Sequence, residues 1–298
     1  MTGSKKKAMS RSDRNFERLL ITVLSLIGIV VAYPLLYVLS SSFSSPTAVV
    51  SGKVWLLPVD FSLEGYKAIF KTAKVLIGYR NSLFYMVAGT CINLVLTLLA
   101  AYPLSRKDLP GQGPIMLIFT FTMIFSGGMI PTYLVIRKMH MLNSIWSMLI
   151  PGAINVYNMI IARTFMQGIP KELLEAAQID GCSDFAYFRR MILPLSKSVI
   201  AVIALYYAIA HWNAYFDAFM YLSDEKLYPL QIFLRDILIN NKVDAGLVIV
   251  DEAAAAKEGL SDLLKYSLIV VATIPVMIIY PFVQKHFVKG VMIGAVKG

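Results

Sequence analysis

The chain is 298 residues long, and 57% of its residues are hydrophobic while only 15% are charged. This composition is too apolar for an ordinary soluble domain and indicates a membrane protein. The formal net charge of +10 could suggest nucleic-acid binding, but the basic residues flank apolar segments instead of forming one basic surface. We therefore expect contact with membrane lipid and no nucleic acid.

Six apolar stretches are each about twenty residues long, which is enough to cross the hydrocarbon core of a membrane as helices. They cover approximately residues 19–42, 82–104, 114–136, 145–165, 198–221 and 266–284. We therefore predict an all-α fold, that of a polytopic membrane protein with six transmembrane helices in one domain over residues 1–298.

The distribution of basic residues predicts the orientation of these spans. A basic tail at residues 1–18 precedes the first span. When this tail is placed in the cytoplasm, Lys and Arg outnumber the acidic residues in the inner segments, as the positive-inside rule requires. We predict a multi-pass protein of the cell (cytoplasmic or inner) membrane with both termini in the cytoplasm, an inner loop at 166–197 and an outer loop at 223–265.

Two connections have features that predict local structure. The short turn at 105–113 is rich in Pro and Gly, so spans two and three should be antiparallel neighbours. The outer loop is too long for a structureless connection in a compact bundle. Its apolar residues repeat at helical spacing and predict an amphipathic helix formed by Leu230, Phe233, Leu234, Ile237 and Leu238.

The inner loop is a polar helical segment between apolar spans, and it reads as two short helices joined at a corner. Pro170 suits the start of the first helix, and Gly181 supplies the residue that ends it with a positive φ. Ser183 can cap the second helix, which should stop at Pro194. The small side chains of Ala176 and Ala177 would allow another surface to approach closely.

The spacing of this loop resembles the EAA loop of ABC importer permeases. Glu175, Ala176 and Ala177 are followed after three residues by Gly181, and Leu193 and Pro194 close the pattern. The family also has Ile two residues before the Leu, where this chain has Met191. The alternative is an ordinary amphipathic connector. The residues that the resemblance assigns to ATPase coupling are Glu172, Glu175, Ala176, Ala177, Asp180, Gly181, Leu193 and Pro194.

The resemblance covers nearly the whole chain, because the C-terminal segment from Gln284 and the aromatic sequence from His211 also look like carbohydrate-uptake permeases. It implies a methionine-importer-like permease fold. It further implies a second homologous permease subunit, two cytoplasmic ABC ATPase subunits and an extracellular or periplasmic solute-binding protein. ATP and Mg would be bound by the partner ATPase, with no cofactor in this chain.

Span five is the predicted sugar path, since polar groups in a membrane helix are costly unless they face a partner or a water-filled cavity. Tyr206, Ala210, Asn213 and Asp217 fall at spacings of 0, 4, 7 and 11 and should share one helical face, with His211 and Trp212 beside it. The alternative is that these groups serve the outer aromatic belt and helix packing. The predicted path residues are Asn158, Tyr206, His211, Trp212, Asn213 and Asp217.

No catalytic or metal site is expected. The chain has no GxxxxGK sequence followed by Ser or Thr, so ATP hydrolysis is expected in a separate subunit. Its three His residues lack ligand spacing, and Cys91 and Cys182 lie in separate segments. A different class of function remains open, namely a secondary carrier or a membrane sensor for a small polar solute, although a carrier should show buried coupling carboxylates and only Asp217 is available.

Overall fold

The structure, a computed structural model, describes residues 11–240 and 254–295. Within these residues the chain is helical and contains no β-strand, which confirms the all-α prediction. The α-helices in chain order are α1 (Arg11–Ser42), α2 (Pro46–Val50), α3 (Glu64–Lys71), α4 (Ala73–Ser105), α5 (Gln112–Ile124), α6 (Met129–Lys138), α7 (Trp146–Leu149), α8 (Val156–Gln167), α9 (Glu172–Ile179), α10 (Asp184–Tyr187), α11 (Leu193–Leu195), α12 (Lys197–Trp212), α13 (Tyr215–Tyr221), α14 (Leu230–Asn240) and α15 (Ala254–Ala295).

Three helices of the described chain are long and apolar enough to cross a membrane. They are Asp13–Ser42, Ala73–Ser105 and Asp262–Pro281. Two further helix pairs are long and apolar enough only when taken together, and each pair is bent: α5 and α6 meet at 114°, and the segments Asp184–Leu195 and Lys197–Trp212 meet at 81°. The described chain thus offers three to five candidate spans, and the predicted count of six stays a prediction.

Spans three, four and five are interrupted and do not form continuous helices. Span three breaks where Gly128 takes a φ of 85°, a conformation that glycine adopts without steric cost. Span four contains only α7 and α8 because Pro151 and Gly152 form a turn between them, with Gly152 at a φ of 71°. Span five is interrupted at Ala214, which separates α12 from α13.

Two compact units divide the described chain, the first comprising residues 11–71 and 254–271. Its helix α1 exposes its apolar side chains over its candidate span, as a helix in lipid does. Near the end of α1, Ser42 Oγ and Tyr66 Oη lie 2.8 Å apart, and Tyr37 packs edge-on against Tyr266. Gly65 lies so close to Ser267 that a Cβ there would overlap the hydroxyl, so the helices of this unit pack through small residues.

The second unit comprises residues 72–240 and 272–295, and α4 is its central helix. Helices α8, α12 and α14 all pack on α4. Ala101 and Ala162 are fully buried and allow the close approach of α4 and α8. Helix α14 confirms the helix predicted in the outer loop, with Leu230 and Ile237 buried and Leu238 exposed.

Candidate docking loop and membrane cavity

The corner predicted in the inner loop is present. Gly181 follows α9 with a φ of 72°, and its N–H donates to the carbonyl of Gln178 at 3.0 Å. The N–H of Cys182 donates to the carbonyl of Ala177 at 2.9 Å. These two bonds form a Schellman motif, in which a left-handed residue satisfies the last carbonyls of a helix. Ser183 then caps α10 by accepting from the N–H of Ala186 at 3.3 Å, as predicted.

Helix α9 has one buried face and one exposed face. Ala177 is buried in a core that includes Tyr187, Phe188 and Ile192. The opposite face carries exposed residues at positions i, i+3, i+4 and i+7, which lie side by side on a helix. We call this face the docking stripe, and it consists of Glu172, Glu175, Ala176 and Ile179.

Two exposed apolar side chains lie on this surface, and neither was among the predicted coupling residues. Ile179 in the docking stripe is 87% exposed, and Phe185 in α10 is 67% exposed. An exposed apolar surface beside charged residues is typical of a protein interface. Asp180 and Gly181 are exposed at the same corner, so five of the six predicted coupling residues in α9 and its corner face outward, while Ala177 faces the core.

The predicted stop at Pro194 is wrong. The residues after α10 form a π-helical turn, Phe188–Ile192, and the helical path continues through α11 to Leu195. Pro194 therefore lies inside a helical path, where it has no backbone N–H to donate to the preceding turn. The chain bends only at Ser196, so Leu193 and Pro194 belong to the approach to span five.

Arg106 ties the inner loop to the end of α4, a link that the sequence pattern did not reveal. Its guanidinium pairs with Asp184, the first residue of α10, and its Nε donates to Asp108 Oδ1 at 2.9 Å. The hydrogen bond from Arg106 lowers the pKa of Asp108, and the same bond raises the pKa of Arg106. Arg163 Nε also donates to the carbonyl of Leu104 at 2.7 Å, which joins α8 to the same end of α4.

A cavity of about 510 Å³ lies within the second unit. Four of the predicted path residues, Asn158, Tyr206, His211 and Asp217, line it together. The other lining residues are Asn93, Met148, Pro151, Gly152, Asn155, Tyr157, Tyr207, Ala210 and Ala214. The cavity thus combines amides and phenols with one imidazole and one carboxylate.

Trp212 and Asn213 do not line this cavity, and we leave them out of the proposed path. The indole of Trp212 is 1% exposed, stacks edge-on with Tyr79 and donates to the carbonyl of Ala272 at 3.0 Å. Asn213 Nδ2 donates a hydrogen bond to the carbonyl of Ile209 at 2.9 Å, at the end of α12. The break at Ala214 also interrupts the helical face that Asn213 was predicted to share with Asp217.

A chain of hydrogen bonds shapes the cavity wall. Tyr207 Oη accepts from the N–H of Asn155 at 3.0 Å and lies 2.6 Å from Thr97 Oγ1. Asn155 Oδ1 caps α8 by accepting from the N–H of Asn158 at 3.1 Å. Asn93 Nδ2 lies 3.2 Å from His211 Nε2. The polar residues of α4 therefore belong to the site, although sequence reasoning searched only spans four and five.

Comparison with known proteins identifies the family to which the chain belongs. Residues 6–293 match the family model described as "Binding-protein-dependent transport system inner membrane component". The chain belongs to this family. It is therefore a multi-pass membrane component of a transport system, not an enzyme, and the resemblance drawn from the inner loop is confirmed.

The family relatives match over almost their whole length. The Bacillus subtilis (strain 168) "Polygalacturonan/rhamnogalacturonan transport system permease protein YtcP" is 42% identical, covering 96% of this chain and 99% of the relative. "Protein LplC" of the same organism is 39% identical, covering 97% of both. A chain in the crystal structure of a bacterial ABC transporter involved in the import of the acidic polysaccharide alginate is 34% identical, with a TM-score of 0.87 over 95% of this chain and all of that chain.

Proposed function

We propose that this chain is a permease subunit of an ATP-driven importer for an oligosaccharide, in which it forms half of the translocation path and receives force from a separate ATPase. The observation that carries this proposal is the docking stripe, which presents an apolar residue and two carboxylates on a helix whose C-terminal end is fixed by the Schellman corner. Family membership and the sugar-polymer transporters among its relatives support the substrate class.

The docking stripe explains how force can enter the membrane. Ala177 on the inner face of α9 belongs to the same buried cluster as Ile203 and Tyr207 of α12, and Tyr207 also lines the cavity. Packed cores transmit displacement because they have little free volume. A push on α9 by a partner therefore moves side chains that line the cavity.

The partners follow from what this chain lacks and exposes. With no phosphate-binding loop in its sequence, ATP and Mg belong to cytoplasmic ATPase subunits, two of which would serve two permease subunits. The cavity lies in one chain, so a second homologous permease would complete the path. An outer solute-binding protein would deliver the sugar, in keeping with a binding-protein-dependent system.

Removing the Glu175 carboxylate should weaken ATPase association. A hydrogen bond to a charged group contributes about 1.5–3 kcal/mol, so Glu175→Ala should lower the affinity for the ATPase subunit about tenfold or more. Co-purification at graded ionic strength measures the effect. Glu64→Ala is the matched control, since Glu64 is also exposed in the first turn of an eight-residue helix. Equal ATPase retention in both variants would contradict the docking role.

Cysteine labelling should place the inner loop in the cytoplasm and the segment after span five outside. In a background with Cys91→Ser and Cys182→Ser, a cysteine at Lys226 should react with an impermeant reagent in sealed cells. A cysteine at Lys171 should react only after permeabilisation. Both positions are exposed in the described chain, so reactivity reports the side of the membrane. Labelling of the Lys171 position in sealed cells would overturn the proposed orientation.

A further inference from the structure

One ion pair joins the inner loop to another segment of the described chain. Arg106, directly after α4, pairs with Asp184, the first residue of α10. Every other ion pair in the described ranges lies outside residues 166–197. Beside this pair, the ring of Tyr102 in α4 packs on that of Phe188, with the ring centroids 4.9 Å apart. A polar and an aromatic contact thus join the inner loop to the end of α4.

Arg106 is held in place by groups on the α4 side of this contact. Its Nε donates to Asp108 Oδ1 at 2.9 Å, and its Nη1 donates to Tyr102 Oη at 3.4 Å. The Arg106 side chain is 15% exposed, whereas those of Asp108 and Asp184 are 62% and 67% exposed. A planar guanidinium fixed in this way presents its N–H groups in set directions. Asp184, and with it α10, is therefore held at a defined position relative to the end of α4.

A second cavity lies between the end of α4 and helix α9, which carries the docking stripe. It has a volume of about 310 Å³ and is lined by Ser105 and Arg106 and, from α9, by Leu174 and Gln178. Packing across this space is incomplete, so it transmits less displacement than a filled core. The ion pair of Arg106 with Asp184 links the two sides next to it. A push on the docking stripe can therefore reach the end of α4 through α10.

The end of α4 is also bonded to other helices. The carbonyl of Leu104 accepts from Arg163 Nε of α8 at 2.7 Å and from Gln112 Nε2 of α5. Helix α4 is central to the second unit, and its Asn93 lines the membrane cavity. Because these bonds share one end of one helix, a displacement of α10 is passed to α4, α5 and α8 together.

We infer that the ion pair between Arg106 and Asp184 passes the movement of the inner loop to α4, with Arg106 as the positioning residue. The inference rests on the proposed function and deepens it, because it assigns a route by which movement driven by the ATPase leaves the inner loop. This route is separate from the one through Ala177 and Tyr207. Neither Arg106 nor Asp184 lines the membrane cavity, so the pair acts on the path without touching the solute.

Cysteine reactivity can measure this transmission without a solute. In the Cys91→Ser and Cys182→Ser background, Tyr157→Cys places a thiol at an exposed position that lines the membrane cavity. Its rate of reaction with an impermeant thiol reagent is measured on the assembled complex in nanodiscs, before and after trapping with ATP, Mg and vanadate. With Arg106 and Asp184 intact, we expect trapping to change this rate at least fivefold.

Arg106→Gln and Asp184→Asn should each reduce the effect of trapping to about twofold or less, while the amount of trapped nucleotide stays unchanged. The double variant should behave like either single variant, because removing the second partner matters only while the first is present. Both carboxylates that Arg106 binds are exposed, and Asp184→Asn leaves Arg106 paired with Asp108. Neither variant therefore leaves a buried unpaired charge, and the complex should still fold.

Asp108→Asn is the matched control, since Asp108 also pairs with Arg106 but lies in the turn after α4 and not in the inner loop. It should keep the full effect of trapping. The inference is overturned if Asp184→Asn keeps the full effect, if Asp108→Asn loses as much, if the two single losses multiply in the double variant, or if every loss follows the amount of trapped nucleotide. In each of these cases a response to trapping with Arg106 and Asp184 intact leaves the proposed function standing. The absence of that response would contradict the proposed function and the inference together.

Discussion

Replacing Gly181 with valine should uncouple ATP hydrolysis from transport. Gly181 has a φ of 72°, and a side chain in the left-handed region costs about 1–2 kcal/mol, with a β-branched residue at the unfavourable end. The corner must then open, which breaks the Schellman bonds from Gly181 and Cys182 and turns the docking stripe away from its orientation. We expect uptake to fall at least tenfold in proteoliposomes, with loss of the ATPase activity that loaded binding protein stimulates.

The control for this substitution is Gly52→Val. Gly52 has a φ of 65°, and no atom lies within 4 Å of a Cβ added there, as is also true of Gly181. The two variants therefore impose a similar backbone strain, but only one lies beside the docking stripe. If both variants transport equally well, or if both lose uptake only in proportion to the amount of folded complex, the corner has no special part in coupling.

Gly89→Ala should damage the membrane cavity. The added Cβ would overlap the His211 ring, so the ring or α12 has to move, and overpacking of this kind costs about 1–3 kcal/mol. The shift also disrupts the contact between His211 and Asn93. We expect the melting temperature of the purified complex to fall by several degrees and uptake to fall about tenfold.

A second substitution and a control test this cause. Gly89→Ala combined with His211→Ala should recover the melting temperature, since the small side chain leaves room for the new Cβ. Gly28→Ala places the same methyl on a helical glycine with open space around it and should not destabilise the complex. A double variant that is less stable than Gly89→Ala alone would contradict the proposed clash.

The inner loop was the part of the chain most accessible to sequence reasoning, because its structure is set locally. A left-handed corner calls for glycine and an exposed helix start calls for a capping hydroxyl, and Gly181 and Ser183 meet these demands within a few residues. The π-helical turn at Phe188–Ile192 has no such local signature. Its presence allowed the helix to continue through Pro194, where a regular α-helix was expected to end.

The membrane cavity was only partly predictable because it depends on contacts between distant segments. Tyr206 and Asp217 were predicted from helical spacing. Both line the cavity, although the helix is interrupted between them at Ala214. The same break, with the packing of Trp212 on Tyr79, removed two other candidates. Asn93 was missed because a single amide in an apolar helix has no periodic signal, and its partner His211 lies 118 positions away.

The most direct test of the proposed function is uptake of a labelled oligosaccharide by proteoliposomes that contain this chain, its partner permease and the ATPase subunits. We expect accumulation to require ATP and Mg on the ATPase side and loaded binding protein on the other side, and we expect Gly181→Val to lower it at least tenfold while Gly52→Val does not. Accumulation by this chain alone, driven by an ion gradient without ATP, would contradict the proposed function and identify a self-sufficient carrier.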